Sequence, residues 1–470
     1  MASEGTGGAG VTHESERSKK GGVWAKAKAM AEKAPPERNR YVDFLRAMSI
    51  LAVVVGHWLV AAPYMVDGDG AVKGGHLLQI VPWTQWLTWG FQVMPVFFMV
   101  GGFSNGTSWA ANRRKQGTPD GTYSHWYSGR VRRLINPVLP LFLIWTFIAM
   151  FGTVMGIDRT IVKMAAQWSL IPVWFLSVYL MVSAVVPWSY AAWQRWGMAS
   201  FWVLAAGAVV VDILGIHYHL PYVKFLNFAF VWLAVHQLGY AWAQGYFKPP
   251  AKALMWGIGG LITLSLLIGL GPYPVAMIGV PGNAITNSMP PNLAMLALGI
   301  TQIGLALSIE PQMRRLLDNI NFWTAVVLIN GMIMTIYLWH LTAQVIVVVA
   351  AWMLGGIGLH MMPGSGIWWI TRPIWFVFYI LALMPMIARF ARYEQSDSRR
   401  GIPPREDTPH WRLITGLVLI SIGLGAAAAI SIASPAGVTG VRLWVVALPF
   451  VGAAMVGFGP VRGLIKRVGD

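Results

Sequence analysis

The sequence predicts an all-α protein that crosses a membrane many times. Of its 470 residues, 56% are hydrophobic and only 11% are charged, whereas ordinary soluble domains carry about 25% charged residues. Apolar runs of roughly 20 residues, the length that a helix needs to cross the hydrocarbon core, recur along the chain. The basic residues between these runs fall mostly in alternate connections, which is typical of a polytopic helical membrane protein.

Composition also excludes several alternatives. The apolar runs are continuous and do not alternate with polar residues, which argues against a transmembrane β-barrel. The chain contains no cysteine, so disulfides, cysteine-ligated metals and a thiol nucleophile are ruled out. The formal net charge of +17 resembles that of a nucleic-acid-binding protein. Membrane orientation explains the basic loops more simply, so we expect no nucleic-acid partner.

Twelve transmembrane helices are predicted, a ten-helix core followed by a C-terminal pair. The spans lie near residues 42–62, 80–104, 134–156, 170–192, 199–215, 224–246, 253–271, 291–309, 322–352, 368–390, 411–433 and 441–459. The segment 322–352 is long for one crossing. It predicts either a tilted helix or a helix with an interfacial extension.

The distribution of basic residues predicts that the N- and C-termini are both cytosolic. With twelve spans and an inner N-terminus, 29 of the 35 Lys and Arg residues fall on the inner side and 6 on the outer side. A wrong number of spans would scramble this asymmetry, because every later loop would change sides.

The chain divides into four predicted regions. Residues 1–40 are polar and predict a disordered cytosolic tail that contains a short surface helix over 24–33. Residues 41–392 form the transmembrane core. Residues 393–410 are mixed in charge and rich in proline, and they predict a cytosolic linker. Residues 411–470 form the two-helix membrane appendage.

The first span carries ionisable residues, which are costly inside a bilayer. Arg46 and His57 are eleven residues apart, so at about 100° per residue they share one helix face, roughly 16 Å apart along the axis. Asp43 lies one turn before Arg46 on the same face. The spacing alone fits an interfacial ion pair with a packed histidine as well as it fits a functional site.

A second basic group, Arg130 and Arg133, lies where a cytosolic loop enters the third span. Two arginines one turn apart at a helix start are suited to phosphate, because guanidinium groups bind phosphate oxygens bidentately. Topology alone also requires basic residues at this edge, and residue chemistry by itself favours that simpler explanation. The sequence shows no metal-ligand spacing, P-loop or serine-hydrolase elbow, and we expect no metal.

Five motifs, taken in order, resemble those of the acyltransferase-3 family of integral membrane acyltransferases. They are Asp43-x-x-Arg46 followed by ten residues and His57, Phe97-Phe98-Met99-Val100-Gly101-Gly102-Phe103, Arg130-x-x-Arg133 with Pro137 and Pro140, Trp174-Phe175-Leu176, and Tyr337-Leu338-Trp339-His340. The resemblance covers residues 42–390. Gly101 stands where the family commonly has serine, so no role of that hydroxyl is carried over.

The resemblance implies transfer of an acyl group, usually acetyl from acetyl-CoA, to a hydroxyl of an envelope glycolipid or carbohydrate. It implies that His57 is the general base or an acyl relay, and an ordinary imidazole pKa of about 6.5 suits that role. Asp43 and Arg46 would line the cytosolic approach to the site. Arg130 and Arg133 would bind the phosphates of CoA.

The resemblance also implies the remaining partners of the protein. Substrate contacts are expected from Trp58, Trp174 and His340, in a multi-pass protein of the cell membrane surrounded by lipid. The Ala-, Gly- and Trp-rich composition resembles that of actinobacterial members, one type of which acetylates trehalose monomycolate. The alternatives are a transporter or flippase of lipid-linked sugars, which would favour inverted repeats that the sequence does not show, and a non-catalytic scaffold.

Overall fold

A computed structural model describes residues 22–66, 70–118, 121–394 and 408–462. Within these ranges the protein is almost entirely helical, which confirms the predicted all-α class. One short antiparallel hairpin pairs β1 (Tyr64–Met65) with β2 (Val72–Lys73). The predicted disorder of residues 1–21, most of the predicted linker and the last eight residues lie outside the described parts of the chain.

Twenty α-helices build the described fold. In chain order they are α1 (Val23–Glu32), α2 (Arg40–Val60), α3 (Leu77–Ile80), α4 (Thr88–Phe91), α5 (Met94–Arg113), α6 (Tyr123–Ile135), α7 (Val138–Val154), α8 (Arg159–Leu170), α9 (Val173–Ala184), α10 (Val186–Trp196), α11 (Met198–Asp212), α12 (Asn227–Ala243), α13 (Pro250–Leu270), α14 (Leu293–Ser308), α15 (Glu310–Leu317), α16 (Ile320–Asn330), α17 (Ile333–Met353), α18 (Gly366–Phe390), α19 (His410–Ile430) and α20 (Leu443–Met455). The short helix α1 confirms the predicted surface helix in the tail.

Each of the twelve predicted spans coincides with at least one of these helices. In the described ranges, nine helical segments are long and apolar enough to cross a membrane, or ten if the bent pair α14 and α15 counts as one span. The other two predicted spans contain α12, with 17 residues, and α20, with 13 residues. At 1.5 Å per residue these reach about 25 and 20 Å, less than the roughly 30 Å of the hydrocarbon core.

Two predicted spans differ in detail from the structure. The segment 322–352 is broken at Gly331 and Met332 into α16 and α17, so α17 alone has the length of one crossing. In place of the predicted span 170–192, the structure has a candidate crossing over Arg159–Ala184, which begins eleven residues earlier. Arg159 and Lys163 give α8 a charged side, which explains why the sequence pattern indicated a loop there.

Close backbone contacts hold the centre of the bundle together. A Cβ atom at Gly102 of α5 would lie 1.9 Å from the carbonyl oxygen of His236 in α12, and one at Gly239 would lie 2.1 Å from that of Met99. Only glycine permits this approach, so the glycines bring the backbones of α5 and α12 into contact. The peripheral helices α13 and α18 instead expose many large apolar side chains, as lipid-facing helices do.

Polar contacts between distant segments of the chain fall into two groups, one at each end of the bundle. At the end predicted to be cytosolic, Arg40 donates to the carbonyl of Leu317, and the Glu394 carboxylate accepts from the first turn of α17. At the opposite end, Met65 donates its backbone N–H to Leu359, and Arg159 donates to the carbonyl of Gly437. These pairings are compatible with the predicted topology, while the cytosolic orientation itself stays a prediction.

The C-terminal pair α19 and α20 packs directly on the core. The Ser177 hydroxyl of α9 donates to the carbonyl of Ser421 in α19 at 2.9 Å. The ring of His410, the first residue of α19, lies 6.3 Å from that of Tyr123 in α6, with the two planes 18° apart. The pair therefore covers one side of the core helices α6 and α9.

Candidate active site

Two histidines from distant parts of the sequence meet inside the helix bundle. His57 lies in the last turn of α2, and His340 lies in the first half of α17. Nδ1 of His57 is 2.9 Å from Nε2 of His340, and the two ring planes differ by only 7°. His340 is completely buried, whereas His57 keeps part of its surface accessible. His57 is therefore the member of the pair that a substrate can reach.

Hydrogen bonding assigns the protons of this histidine pair. Nδ1 of His340 lies 2.8 Å from the backbone carbonyl oxygen of Tyr337. A carbonyl oxygen only accepts, so this nitrogen carries the proton, and Nε2 of neutral His340 accepts one. Nδ1 of His57 is then the donor in the 2.9 Å contact. The relay leaves a lone pair on Nε2 of His57, the arrangement that a general base or a nucleophile needs.

The pair lies well inside the bundle even though His57 is near the end of its own helix. From His340, α17 continues for 13 residues to Met353, which is about 20 Å of helix. On the other side, Arg46 is eleven residues before His57 in the continuous helix α2, about 16 Å away along the axis. His57 is thus separated from both ends of the bundle.

Trp58 contacts the histidine pair, whereas Trp174 lies in a helix turn that the neighbouring Tyr337 contacts. The Trp58 indole donates to the backbone carbonyl of His340 at 3.0 Å and is 3% exposed, so it fixes α2 against α17. Trp174 is partly exposed in the first turn of α9. The Tyr337 hydroxyl donates to the carbonyl of Pro172 at 2.6 Å, which joins that turn to α17. Substrate binding by Trp58, Trp174 and His340 stays a prediction.

Asp43 and Arg46 form a separate ionic group near the start of α2. The Asp43 carboxylate accepts from Arg38 at 2.6 Å and from Arg46 at 3.1 Å, and it is only 5% exposed. Arg46 also donates to the Ser104 hydroxyl of α5 at 3.2 Å. Because α2 is continuous, this group lies too far from His57 to exchange a proton with it directly. Its position fits a lining of the approach to the site.

Arg130 is held in a fixed orientation by two contacts. Its Nε donates to Oδ1 of Asn105 at 2.9 Å, and its guanidinium carbon lies 3.8 Å from the centre of the Trp126 ring. No hydrogen bond joins its two terminal nitrogens to the part of the chain that the structure describes. A stacked guanidinium whose terminal nitrogens have no such partner can bind an anion. Arg133, on the same helix, is exposed.

Asn105 links Arg130 to the interior of the bundle. Its Nδ2 lies 3.2 Å from Nε2 of the completely buried His236 and 3.4 Å from the hydroxyls of Tyr179 and Ser183. The amide therefore has partners on both its oxygen and its nitrogen. These contacts hold the Asn105 amide, and through it the guanidinium of Arg130, in one place.

Tyr179 explains the glycine at position 101. A Cβ atom at Gly101 would lie 2.7 Å from Cε2 of Tyr179 and 2.9 Å from its hydroxyl oxygen. Even the smallest side chain at this position would clash with that ring. The phenol of Tyr179 thus occupies the space that a serine side chain would need.

The two arginine groups lie at the same depth on either side of α5. Arg46 contacts Ser104 and Arg130 contacts Asn105, which are consecutive residues of that helix. The site therefore has a basic part at one level and the histidine pair at another, about 16 Å further into the bundle.

Sequence reasoning missed Asn105, Trp126 and Tyr179, which orient the basic part. The predicted span ended at residue 104, so Asn105 counted as a loop residue. A polar residue four positions after Gly101 on the same helix face was the available signal. For Trp126 and Tyr179 the sequence carries no comparable signal, because aromatic residues are frequent throughout the chain.

Comparison with known proteins identifies the family to which the chain belongs. A family model described as an acyltransferase domain, that of the acyltransferase-3 family, matches residues 39–389. Searches of curated proteins and of solved structures found no significant match. The matched segment includes both parts of the site described above and most of the transmembrane helices. The chain is therefore a multi-pass membrane acyltransferase that belongs to the acyltransferase-3 family.

Proposed function

We propose that this acyltransferase moves an acyl group, in particular acetyl, from cytosolic acyl-CoA to a hydroxyl of an envelope glycolipid or carbohydrate at the cell membrane. The observation that carries the proposal is the relay from the Tyr337 carbonyl through His340 to His57, which leaves Nε2 of His57 as a base. Family membership favours acyl transfer over the transport of lipid-linked sugars.

In the direct form of the reaction, His57 removes the proton of the acceptor hydroxyl through Nε2. The hydroxyl oxygen then attacks the thioester carbonyl carbon, the C–S bond breaks, and His57 returns the proton to the departing thiolate. In the relay form, Nε2 attacks the thioester carbonyl carbon and the C–S bond breaks, which releases the CoA thiolate and leaves the acyl group on the ring. The acceptor oxygen then attacks the acyl carbon, the bond to Nε2 breaks, and the hydroxyl proton passes through Nε2 to the thiolate. His340 has the same task in both forms, because it stabilises the charge that develops on the His57 ring.

The basic part of the site supports an acyl-CoA donor. Arg130 presents an oriented guanidinium fork, which suits the diphosphate of CoA. Arg133 lies one turn further along α6 and is exposed to the same end of the bundle. Asp43 and Arg46 line the neighbouring face of α5. Phosphates bound here would leave the thioester end of the donor to extend toward His57.

Labelled acetyl-CoA and an envelope-lipid extract containing trehalose monomycolate test the proposal. Wild-type protein in detergent should transfer label to a lipid product, and His57→Ala should lower the rate by about 10²- to 10⁴-fold, the usual contribution of a general base. His217→Ala is the matched control, because His217 is exposed in the helical turn that follows α11. Unchanged transfer by folded His57→Ala protein would remove the catalytic assignment.

A binding experiment tests the donor site separately. We expect Arg130→Ala to weaken CoA binding more than Arg133→Ala, because only Arg130 is oriented by both an amide and an indole. Arg195→Ala, which changes another basic residue outside the site, is the control. CoA affinities equal to that of the wild type in both arginine variants would show that these charges serve topology alone.

A further inference from the structure

A cavity next to Arg130 has no role in the chemistry described so far. It has a volume of about 630 Å³ and lies between the end of α5 and the start of α6. Trp109, Arg113 and Tyr123 supply the side-chain walls, and Gly117 and Gly121 contribute backbone. The cavity thus combines aromatic rings, a cation and accessible backbone in one place.

The Trp109 ring is arranged to receive a flat ligand. Its neighbours Trp126 and Tyr123 meet it at 64° and 82°, so both contacts are edge-to-face. Neither partner lies parallel to the indole, and its side chain is partly exposed. Tyr123 differs, because Tyr127 and His410 lie nearly parallel to it at 8° and 18°. A purine could therefore stack on Trp109, with the edge of Tyr123 as a wall.

Trp126 links a wall of the cavity to the anchored arginine. The centre of the Trp109 ring is 5.1 Å from that of the Trp126 ring. The guanidinium carbon of Arg130 lies 3.8 Å from the centre of the same Trp126 ring. Arg113 adds a second cation at the wall of the cavity. An adenine nucleotide has this order of groups, a flat base joined through a ribose to phosphates.

We infer that the cavity between Trp109, Arg113 and Tyr123 binds the adenosine 3′-phosphate end of the acyl-CoA donor. The adenine ring stacks on Trp109, the 3′-phosphate pairs with Arg113, and the diphosphate reaches Arg130. The inference rests on the proposed acyl-CoA donor and extends it, because it assigns residues to the half of CoA that carries no acyl group.

The occupant is better matched by a nucleotide than by a lipid. The cavity opens beside the basic loop of Arg113, Arg114 and Lys115, and its lining combines polar residues and backbone with two aromatic rings. Stacking of a base on an aromatic ring and pairing of phosphate with arginine are the usual elements of nucleotide binding. A lipid chain would require a continuous apolar lining.

Binding to the full-length protein in detergent tests this inference. The probes are radiolabelled CoA, adenosine 3′,5′-bisphosphate and 4′-phosphopantetheine, measured by equilibrium dialysis. Trp109→Leu should weaken binding of the first two by about tenfold, the value of one lost base–aromatic stack. Binding of 4′-phosphopantetheine should not change. Trp109→Phe should restore most of the affinity, and Trp196→Leu, which changes an exposed tryptophan elsewhere, is the control.

Arg113 provides a second test that does not depend on the aromatic residue. Wild-type protein should bind CoA more tightly than 3′-dephospho-CoA, and Arg113→Gln should remove this preference. Arg114→Gln changes the next residue, which does not line the cavity, and should keep it. This arm remains decisive if Trp109→Leu fails to fold.

The outcomes separate the two proposals. If CoA binds and is used for transfer but its affinity is independent of Trp109 and Arg113, the cavity assignment is overturned and the proposed function stands. If adenosine 3′,5′-bisphosphate binds in a Trp109-dependent manner without any acyl transfer, the proposed function fails and only the assignment of the cavity as a nucleotide site stands. If the wild type binds neither CoA nor the bisphosphate, both are overturned.

Discussion

Replacing His340 by leucine removes the acceptor that holds Nδ1–H of His57. The 2.9 Å contact between the two rings is the bond that is lost, and His340 is completely buried. A buried donor left without a partner costs about 1–3 kcal/mol. If the His57 ring turns to recover that energy, its Nε2 lone pair no longer faces the substrate. The same free energy then appears in the barrier, as a loss of about 5- to 150-fold in kcat.

Glutamine at position 340 should restore much of this loss. Its side-chain carbonyl can reach nearly the same position as Nε2 of histidine and can accept the same proton. The assay is transfer from labelled acetyl-CoA by purified protein, with KM for acetyl-CoA and thermal unfolding measured in parallel. KM should stay near the wild-type value, because Arg130 and Arg46 lie about 16 Å from the pair.

Two results would refute this reasoning. One is a folded His340→Leu protein with wild-type kcat, which would mean that His57 needs no orienting acceptor. The other is a His340→Gln protein as slow as His340→Leu with an unchanged melting temperature. That result would mean that the imidazole of His340 takes part in the reaction itself and does more than position His57.

Three further predictions concern stability, each measured by thermal unfolding in detergent. Asp43→Ala should lower the unfolding free energy by about 2 kcal/mol, because two arginines lose a buried carboxylate. The control Asp318→Ala removes an exposed ion pair at 3.9 Å and should lower it by less than about 1 kcal/mol. Equal losses in the two variants would contradict this prediction. Gly101→Ser should lower the unfolding free energy by about 1–3 kcal/mol, because its side chain clashes with Tyr179. Adding Tyr179→Ala should recover part of this loss. A Gly101→Ser protein as stable as the wild type would show that the Tyr179 ring moves freely. Glu394→Ala should cost about 1 kcal/mol, because the first turn of α17 loses its cap; no change would mean that water replaces the carboxylate.

The sequence was sufficient for features that depend on one helix. The apolar length of each segment predicted the positions of the helices, because the bilayer thickness sets that length. The separation of Arg46 and His57 also followed from helical geometry, and the continuous helix α2 agrees with it. Helix breaks were less accessible, since Gly331 and Met332 interrupt a segment whose composition is apolar on both sides.

The partners of the site residues could not be predicted in the same way. His57 and His340 are 283 positions apart, and only the packing of α2 on α17 brings their rings together. The spacing of Asp43, Arg46 and His57 suggested one polar group, whereas the structure divides them between an ionic cluster and the histidine pair. Tyr179 at the side of Gly101 is likewise a contact between two helices, for which a single sequence contains no local signal.

The continuous helix α2 also has a consequence for the choice of donor. If the arginines hold the phosphates, a reactive carbonyl must be some 16 Å away to meet His57. An acyl phosphate or an acyl adenylate carries its carbonyl directly on the phosphorus-bound oxygen, so it would be stranded at the basic end. A thioester at the tip of a long flexible arm can cover the gap. The helical interval between Arg46 and His57 would then work as a molecular ruler, selecting activated acyl groups by reach before any chemistry begins.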